Sequence, residues 1–207
     1  MKKFFKVLYL MRYYILCIVI CMLVLIGLDL WLIPYKYDTP WYFIVLFIVI
    51  SVIGVIIIDG IIAAVVHHFP KKWFDPKQSK YKLKKGEKKF YDIIKIRKWK
   101  DKIPEIGALT CDFGKGKIEN PDDLEYIYSF LIEMGYAESI HFSSCILGFL
   151  VIFIIPLKYF YFIGIPVGII NVGFNILSAF IQRYNRPKLL MLYERKARSK
   201  NSNIQNI

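Results

Sequence analysis

Two groups of residues in this 207-residue chain are of the right type and spacing to do chemistry. The first is "AESIH", in which His141 follows Glu138 by three positions, so that on a helix the two side chains share a face. A carboxylate beside an imidazole can fix its tautomer and make it a better general base; the alternative is a satisfied histidine at the membrane interface. The second is the stretch "NVGFNILSAFIQRYNRPKL", in which Asn171, Asn175, Ser178 and Gln182 recur at intervals of four, three and four residues. At 100° per residue these four fall within about 60° of arc, one polar stripe on an apolar helix. The stripe runs directly into Arg183, Tyr184, Asn185 and Arg186. Such a stripe can be an interhelical hydrogen-bonding seam or the polar wall of a cavity. Its continuation into the arginines favours the cavity, because a packing seam does not require them.

The elements that would hold these residues are membrane spans. Hydrophobic residues make up 57% of the chain and mean hydropathy is +0.44, too apolar for an ordinary soluble domain of this length. Residues 13–33 and 41–66 are each long enough to cross a hydrocarbon core of about 30 Å. A third apolar region, 142–181, is interrupted at Pro156, Lys158, Gly164 and Pro166 and predicts a helical hairpin of 142–155 and 165–181. The opening "MKKFFK" with its long apolar run predicts a signal anchor and not a cleaved leader. The expected fold class is therefore an all-α integral membrane protein with four transmembrane helices. The expected divisions are an N-terminal hairpin (1–69), a loop unit (70–140), a C-terminal hairpin (141–189) and a basic tail (190–207).

Charge predicts the orientation. Of 29 lysines and arginines, four lie in 1–12, sixteen in 70–140 and seven in 183–207; only Lys36 and Lys158 fall elsewhere. By the positive-inside rule both termini and the 70–140 loop face the cytoplasm of a bacterial cell membrane. The net charge of +13 then reflects attraction to anionic headgroups, and nucleic-acid binding is not needed to explain it. Within the loop, 71–102 holds fourteen basic and four acidic residues, which also suits phosphate-bearing partners. "QSKYKLKKGEKK" predicts an exposed basic loop, and "FYDIIKIRKWKDKI" fits neither a strand nor a helix period throughout. "ENPDDLEYIYSFLIEM" predicts a helix over 121–134, capped by Asn120 with Pro121 in first position and Gly135 as a break.

Other residues carry weaker signals. The four cysteines, at 17, 21, 111 and 145, lack metal spacing or a disulfide framework; three lie in or beside apolar spans as small hydrophobes, and Cys111 lies outside them without a motif that would make it reactive. His67 and His68 close the second span, eight and nine residues after Asp59, and are expected to be interface residues, with Asp59 partly hydrated. The sequence has no H-x-x-x-x-D box, G-x-S-x-G elbow, Walker motif or H-E-x-x-H.

Together "RKWKDKIPE" (97–105), "AESIH" (137–141) and "NVGFNILSAFIQRYNRPKL" (171–189) resemble the bacterial glycosyl-4,4'-diaponeurosporenoate acyltransferase family, membrane proteins of staphyloxanthin-type biosynthesis. The resemblance covers roughly 97–189, and Phe142 stands where the family tends to have tryptophan. It implies an O-acyltransferase moving a fatty acyl group from acyl-CoA or acyl carrier protein, with no resident cofactor, to a sugar hydroxyl of a glycolipid or glycosylated carotenoid. His141, oriented by Glu138, would be the base. Asn175, Gln182 or Arg183 would bind the oxyanion, and Arg97, Lys98, Lys100 and Arg186 would meet donor phosphates. Asn171, Trp99, Tyr184 and Asn185 complete the expected substrate-binding set. Two other classes fit the bare residues: a membrane methyltransferase or reductase with a soluble cofactor at the same interface, and a non-enzymatic scaffold for anionic lipid.

Overall fold

The computed structural model of the chain describes residues 2–103, 118 and 120–205. Among these the secondary structure is helical, with no strand. Helix α1 (Lys2–Tyr37) and helix α2 (Trp41–His67) form the first hairpin. Its turn is tight: Asp38 takes the left-handed conformation (φ 46°) and Pro40 precedes α2, where its missing N–H costs nothing. A compact unit follows, with short 3-10 turns at Lys71–Phe74 and Ser79–Tyr81, helix α3 (Lys85–Ile93) and the single turn α4 (Ile96–Trp99). Helix α5 (Leu124–Leu147) continues as a 3-10 turn through Phe153, and a 3-10 and π turn over 157–164 leads into α6 (Ile165–Gln205).

Four helical stretches are long and apolar enough to cross a membrane: Met11–Pro34, Trp41–His67, Leu124–Phe153 and Leu157–Lys200. The four-helix expectation holds, but the third helix differs from it. It starts seventeen positions before His141, so the expected boundary at 140/141 falls inside α5. The cap is Asp123, whose carboxylate accepts from the N–H groups of Glu125 (2.9 Å) and Tyr126 (3.2 Å), and not Asn120. Gly135 does not break the helix. It provides space, because a Cβ there would lie 2.9 Å from an Arg186 nitrogen and 3.1 Å from Cβ of Phe74.

Helices α5 and α6 make the most extensive pair, and α2 packs on α5. The main apolar core lies away from the basic end and joins Leu25 and Ile33 of α1, Ile44, Ile48 and Val55 of α2, and Val151, Tyr159 and Ile163. Outward-facing Leu23, Val24, Ile53, Ile56 and Ile57 are exposed, as helices hydrophobic all round are when lipid is their solvent. A second core ties the unit after α2 to the bundle, with Phe74 and Tyr81 packed among Ile62, Val66, Ile132 and Tyr136. The expected exposed loop "QSKYKLKKGEKK" is thus half structural, because Tyr81 is buried and Glu87 lies within α3. The ambiguous "FYDIIKIRKWKDKI" resolves into two helices broken by Lys95, a non-glycine residue at φ 52°. That left-handed residue removes any single period from the sequence.

Candidate functional site

The polar stripe of α6 faces α5 and α2, and it meets Asp59 on α2. The Asn175 Nδ2 amide donates to Oδ2 of Asp59 at 3.0 Å and to Oδ1 of Asn171 at 2.9 Å. The Asn171 Nδ2 donates to Oδ1 of Asp59 at 3.4 Å and to the Ser144 carbonyl at 3.3 Å. Oδ1 of Asn175 then faces Nδ1 of His141 at 2.9 Å. With its Nδ2 surrounded by acceptors, the amide orientation of Asn175 is determined by the network, so its oxygen accepts and Nδ1 of His141 carries the hydrogen. A neutral imidazole held this way has its lone pair on Nε2, the arrangement a general base needs. The result is a connected chain, Asp59, Asn175, His141, in the basic half of the bundle. Asn171 and Asn175 are each 7% exposed, so these amides have left water and have exchanged it for one another and for the carboxylate.

One glycine makes this possible. A Cβ at Gly148 would lie 2.2 Å from Nδ2 of Asn171, so α5 and the Asn171 amide can approach only because position 148 has no side chain. Ser144, one turn before it, is fully buried, and its hydroxyl oxygen has no hydrogen-bond partner among the described residues.

Glu138 occupies a different network from the one expected. Its two oxygens accept from arginines: Oε1 from NH1 of Arg183 at 2.7 Å and Oε2 from NH1 of Arg186 at 3.5 Å. The group on Nδ1 of His141 is an amide, and the carboxylate behind that amide is Asp59. Sequence reasoning expected Asp59 to be partly hydrated, and it is partly exposed; its pairing with Asn175 was concealed by their distance in the chain. The available signal was the charge itself, a carboxylate eight residues inside an apolar span.

The arginines fasten the unit after α2 to the bundle. Arg183 donates through Nε and NH2 to Oε1 of Glu87 (2.9 and 2.7 Å) and through NH1 to the Lys80 carbonyl (3.1 Å), which pins α3 against α6. The Arg186 side chain lies flat on Tyr81, its Cζ 3.4 Å from the ring centroid, and donates to the Phe74 carbonyl at 3.0 Å. It is 1% exposed. Arg186, expected at donor phosphates, thus has Glu138 beside its charge and a ring over its face. Arg183, expected at an oxyanion, is likewise taken up by two carboxylates.

The Lys84 backbone N–H and the Arg183 guanidinium hold the Glu87 carboxyl below its ordinary value, against burial that acts to raise it. Burial, with the Glu87 charge nearby, pushes the Tyr91 phenol up to about 12.

The remaining expected residues divide by environment. Tyr184 is buried in an apolar cluster with Tyr91 and Ile96, and its hydroxyl accepts from Nε of Arg97 at 2.8 Å. Trp99 is half-buried, its indole N–H donating to the Ile94 carbonyl at 2.9 Å, and Lys100 pairs with Asp101 at 2.8 Å. Gln182 and Asn185 are half-buried on α6. Arg97 and Lys98 are exposed, as are Lys82, Lys84, Lys85, Lys88, Lys89 and Lys95 of the same unit. The histidines do not converge: His67 stacks on Tyr136 and lies 3.6 Å from Glu133, while the His68 Nδ1 meets the Ala64 carbonyl. Among the described residues no group of three or more His, Cys, Asp or Glu is placed to hold a metal ion. Pro104, Glu105 and Cys111, singled out in the sequence, lie outside the described residues.

Comparison with known proteins bears on this geometry. Residues 70–195 match the family described as glycosyl-4,4'-diaponeurosporenoate acyltransferase, a stretch that holds His141, Asn171, Asn175 and both arginines but not Asp59. A protein of that name from Staphylococcus haemolyticus (strain JCSC1435) is 34% identical over 102 residues, 49% of this chain and 57% of the relative, so the chain matches little more than half of that relative's length. No solved structure matches. With the family match covering more than half of its length, the chain belongs to the glycosyl-4,4'-diaponeurosporenoate acyltransferase family.

Proposed function

We propose that the protein is an integral membrane O-acyltransferase that moves a fatty acyl group from a thioester to a hydroxyl of a membrane glycolipid, a glycosylated carotenoid being the acceptor its relative's name implies. The observation that carries this is the chain Asp59, Asn175, His141, built between membrane-length helices by residues up to 116 positions apart. The imidazole Nε2 takes the proton of the acceptor hydroxyl as its oxygen attacks the thioester carbonyl. The tetrahedral intermediate then collapses, the C–S bond breaks, and the imidazolium returns the proton to the leaving thiolate. Asn175 holds the ring, and Asp59 stabilises the imidazolium through the polarised amide. The role given to Glu138 changes in consequence: it neutralises Arg183 and Arg186 and keeps α3 in place.

The donor's phosphates, on coenzyme A or a phosphopantetheine arm, suit the exposed Arg97, Lys98 and the lysines of α3, with the termini and the 70–140 unit on the cytoplasmic side. The test is acyl transfer by protein reconstituted in lipid. His141→Ala should abolish product while the protein remains inserted and folded. Asp59→Asn should lower kcat with little change in KM for the donor, because it acts on a charge that develops only during reaction. Wild-type turnover in His141→Ala would end the proposal.

A further inference from the structure

Beside the relay lies a cavity to which the proton transfer gives no role. A groove of about 540 Å³, counting its open mouth, lies between α1, α2 and α6. Its walls are apolar, with Ile18, Met22, Leu25, Val52, Val55 and Val167 prominent among them. Its polar residues, Asp59 and Asn171, gather at one end with Tyr14 and Phe174, whose rings meet edge to face at 5.1 Å. The groove lies beside the part of α1 that is least buried. Among the described residues of α1 the buried ones are Leu25, Asp29 and Ile33, all in its second half. The first half is therefore less closely packed, meeting α6 through the Tyr14–Phe174 ring contact, and Leu25 is its first fully buried described residue. From Tyr14 to Leu25 is eleven residues, or roughly 16 Å at the helical rise, about half a hydrocarbon core.

The polar end connects to the chemistry. Asp59 and Asn171 line the groove, and the Asn175 amide that bonds both also holds His141. One amide side chain thus separates the end of the groove from the imidazole. An unbranched chain lying in the groove would present its head where the relay is.

Resting on the acyl-transfer reading, we propose that this groove binds the acyl chain of the donor, with its carbonyl at the Asp59 and Asn171 end and its methyl end toward Leu25, which sets an upper limit on chain length. Both substrates of such a reaction carry apolar chains, and the physical chemistry separates them. The acceptor's tail is already dissolved in lipid and gains little by moving into an apolar groove. The acyl chain of a water-soluble thioester gains the whole transfer out of water, and it is the chain that needs a defined path into the bilayer. The groove is also short, as suits a fatty chain more than a tail that spans the membrane.

Photo-crosslinking tests this without requiring turnover. Purified protein in nanodiscs is irradiated with hexadecanoyl-CoA carrying a diazirine near its methyl end, and the labelled residues are mapped by mass spectrometry. Label should concentrate on Met22, Leu25, Val52 and Val167 and be displaced by excess unlabelled thioester. Label spread over the lipid-facing Ile57, Ile61 and Val65, or concentration of label on the groove residues only from a diazirine-tailed glycolipid acceptor, would overturn the assignment. A selectivity measurement gives the second arm. Val52→Phe should raise the ratio of dodecanoyl to hexadecanoyl transfer at least tenfold, and Met22→Ala should lower it. An unchanged ratio in active variants removes the length limit. Because crosslinking reports binding and His141→Ala reports chemistry, failure of the groove and failure of the acyltransferase reading give different patterns.

Discussion

Arg186→Met separates two roles that an arginine at this position can have, a substrate ligand or a fastening within the fold. The guanidinium is 1% exposed, donates to the Phe74 carbonyl at 3.0 Å, lies 3.5 Å from Glu138 and covers the Tyr81 ring at 3.4 Å. Removing one partner of a buried ion pair costs about 3–5 kcal/mol, and a desolvated cation over a ring contributes up to about 2 kcal/mol. Two features reduce the total. The Glu138 contact is at the limit of hydrogen bonding and Arg183 remains on the same carboxylate, while Nε of Arg186 is buried with no partner among the described residues, so its loss relieves a penalty of about 1–3 kcal/mol. The net expectation is a loss of about 3 kcal/mol. At about 2–4 °C per kcal/mol for a chain of this size, the midpoint of thermal unfolding in nanodiscs should fall by roughly 6–12 °C. In a double-mutant cycle with Glu138→Gln, the pair should be less destabilised than the sum of the singles by about 1 kcal/mol or more. The reasoning is refuted if Arg186→Met unfolds within a degree or two of wild type and loses donor affinity instead.

Gly148→Ala should displace the Asn171 amide, leave part of Asp59 unpaired at a cost of about 1–3 kcal/mol, and depress turnover more than it depresses expression; full activity would mean that Asn171 has another route to its partners. The depressed Glu87 carboxyl means that its pairing with Arg183 contributes fully above the ordinary glutamate pKa and is lost as pH falls through its own lower value. Acid titration below about pH 4.5, followed by limited proteolysis at α3, should show this loosening in wild type and not in Glu87→Gln. The raised Tyr91 phenol gives the opposite dependence: its contribution is complete below pH 10.0 and is lost as pH rises toward about 12, a loss Tyr91→Phe should abolish in alkaline unfolding curves.

The regular elements were legible because lipid imposes a simple rule on sequence. An uninterrupted apolar run of about 20 residues can satisfy its backbone only as a helix, so α1 and α2 could be read directly. The same logic failed at α5. Its first half lies outside the most apolar stretch and carries Glu125 and Glu133, so composition placed a boundary at Gly135 where the structure has a continuous helix. What keeps that half helical is tertiary: Phe74, Tyr81 and Arg186 cover it.

For the site, local periodicity was enough to put Asn171, Asn175, Ser178 and Gln182 on one stripe and to single out His141, since those relations depend only on the helical repeat. Which groups face that stripe depends on how helices pack, and nothing local encodes it. Proximity in sequence paired Glu138 with His141; packing gave Glu138 to two arginines and brought Asp59, 116 positions from Asn175, to the imidazole's amide partner. The sequence by itself determined that polar groups had to be satisfied inside an apolar bundle. Only the tertiary structure decided their partners, because two glycines, at 135 and 148, allow an arginine and an amide to approach a helix too closely for any side chain to fit between.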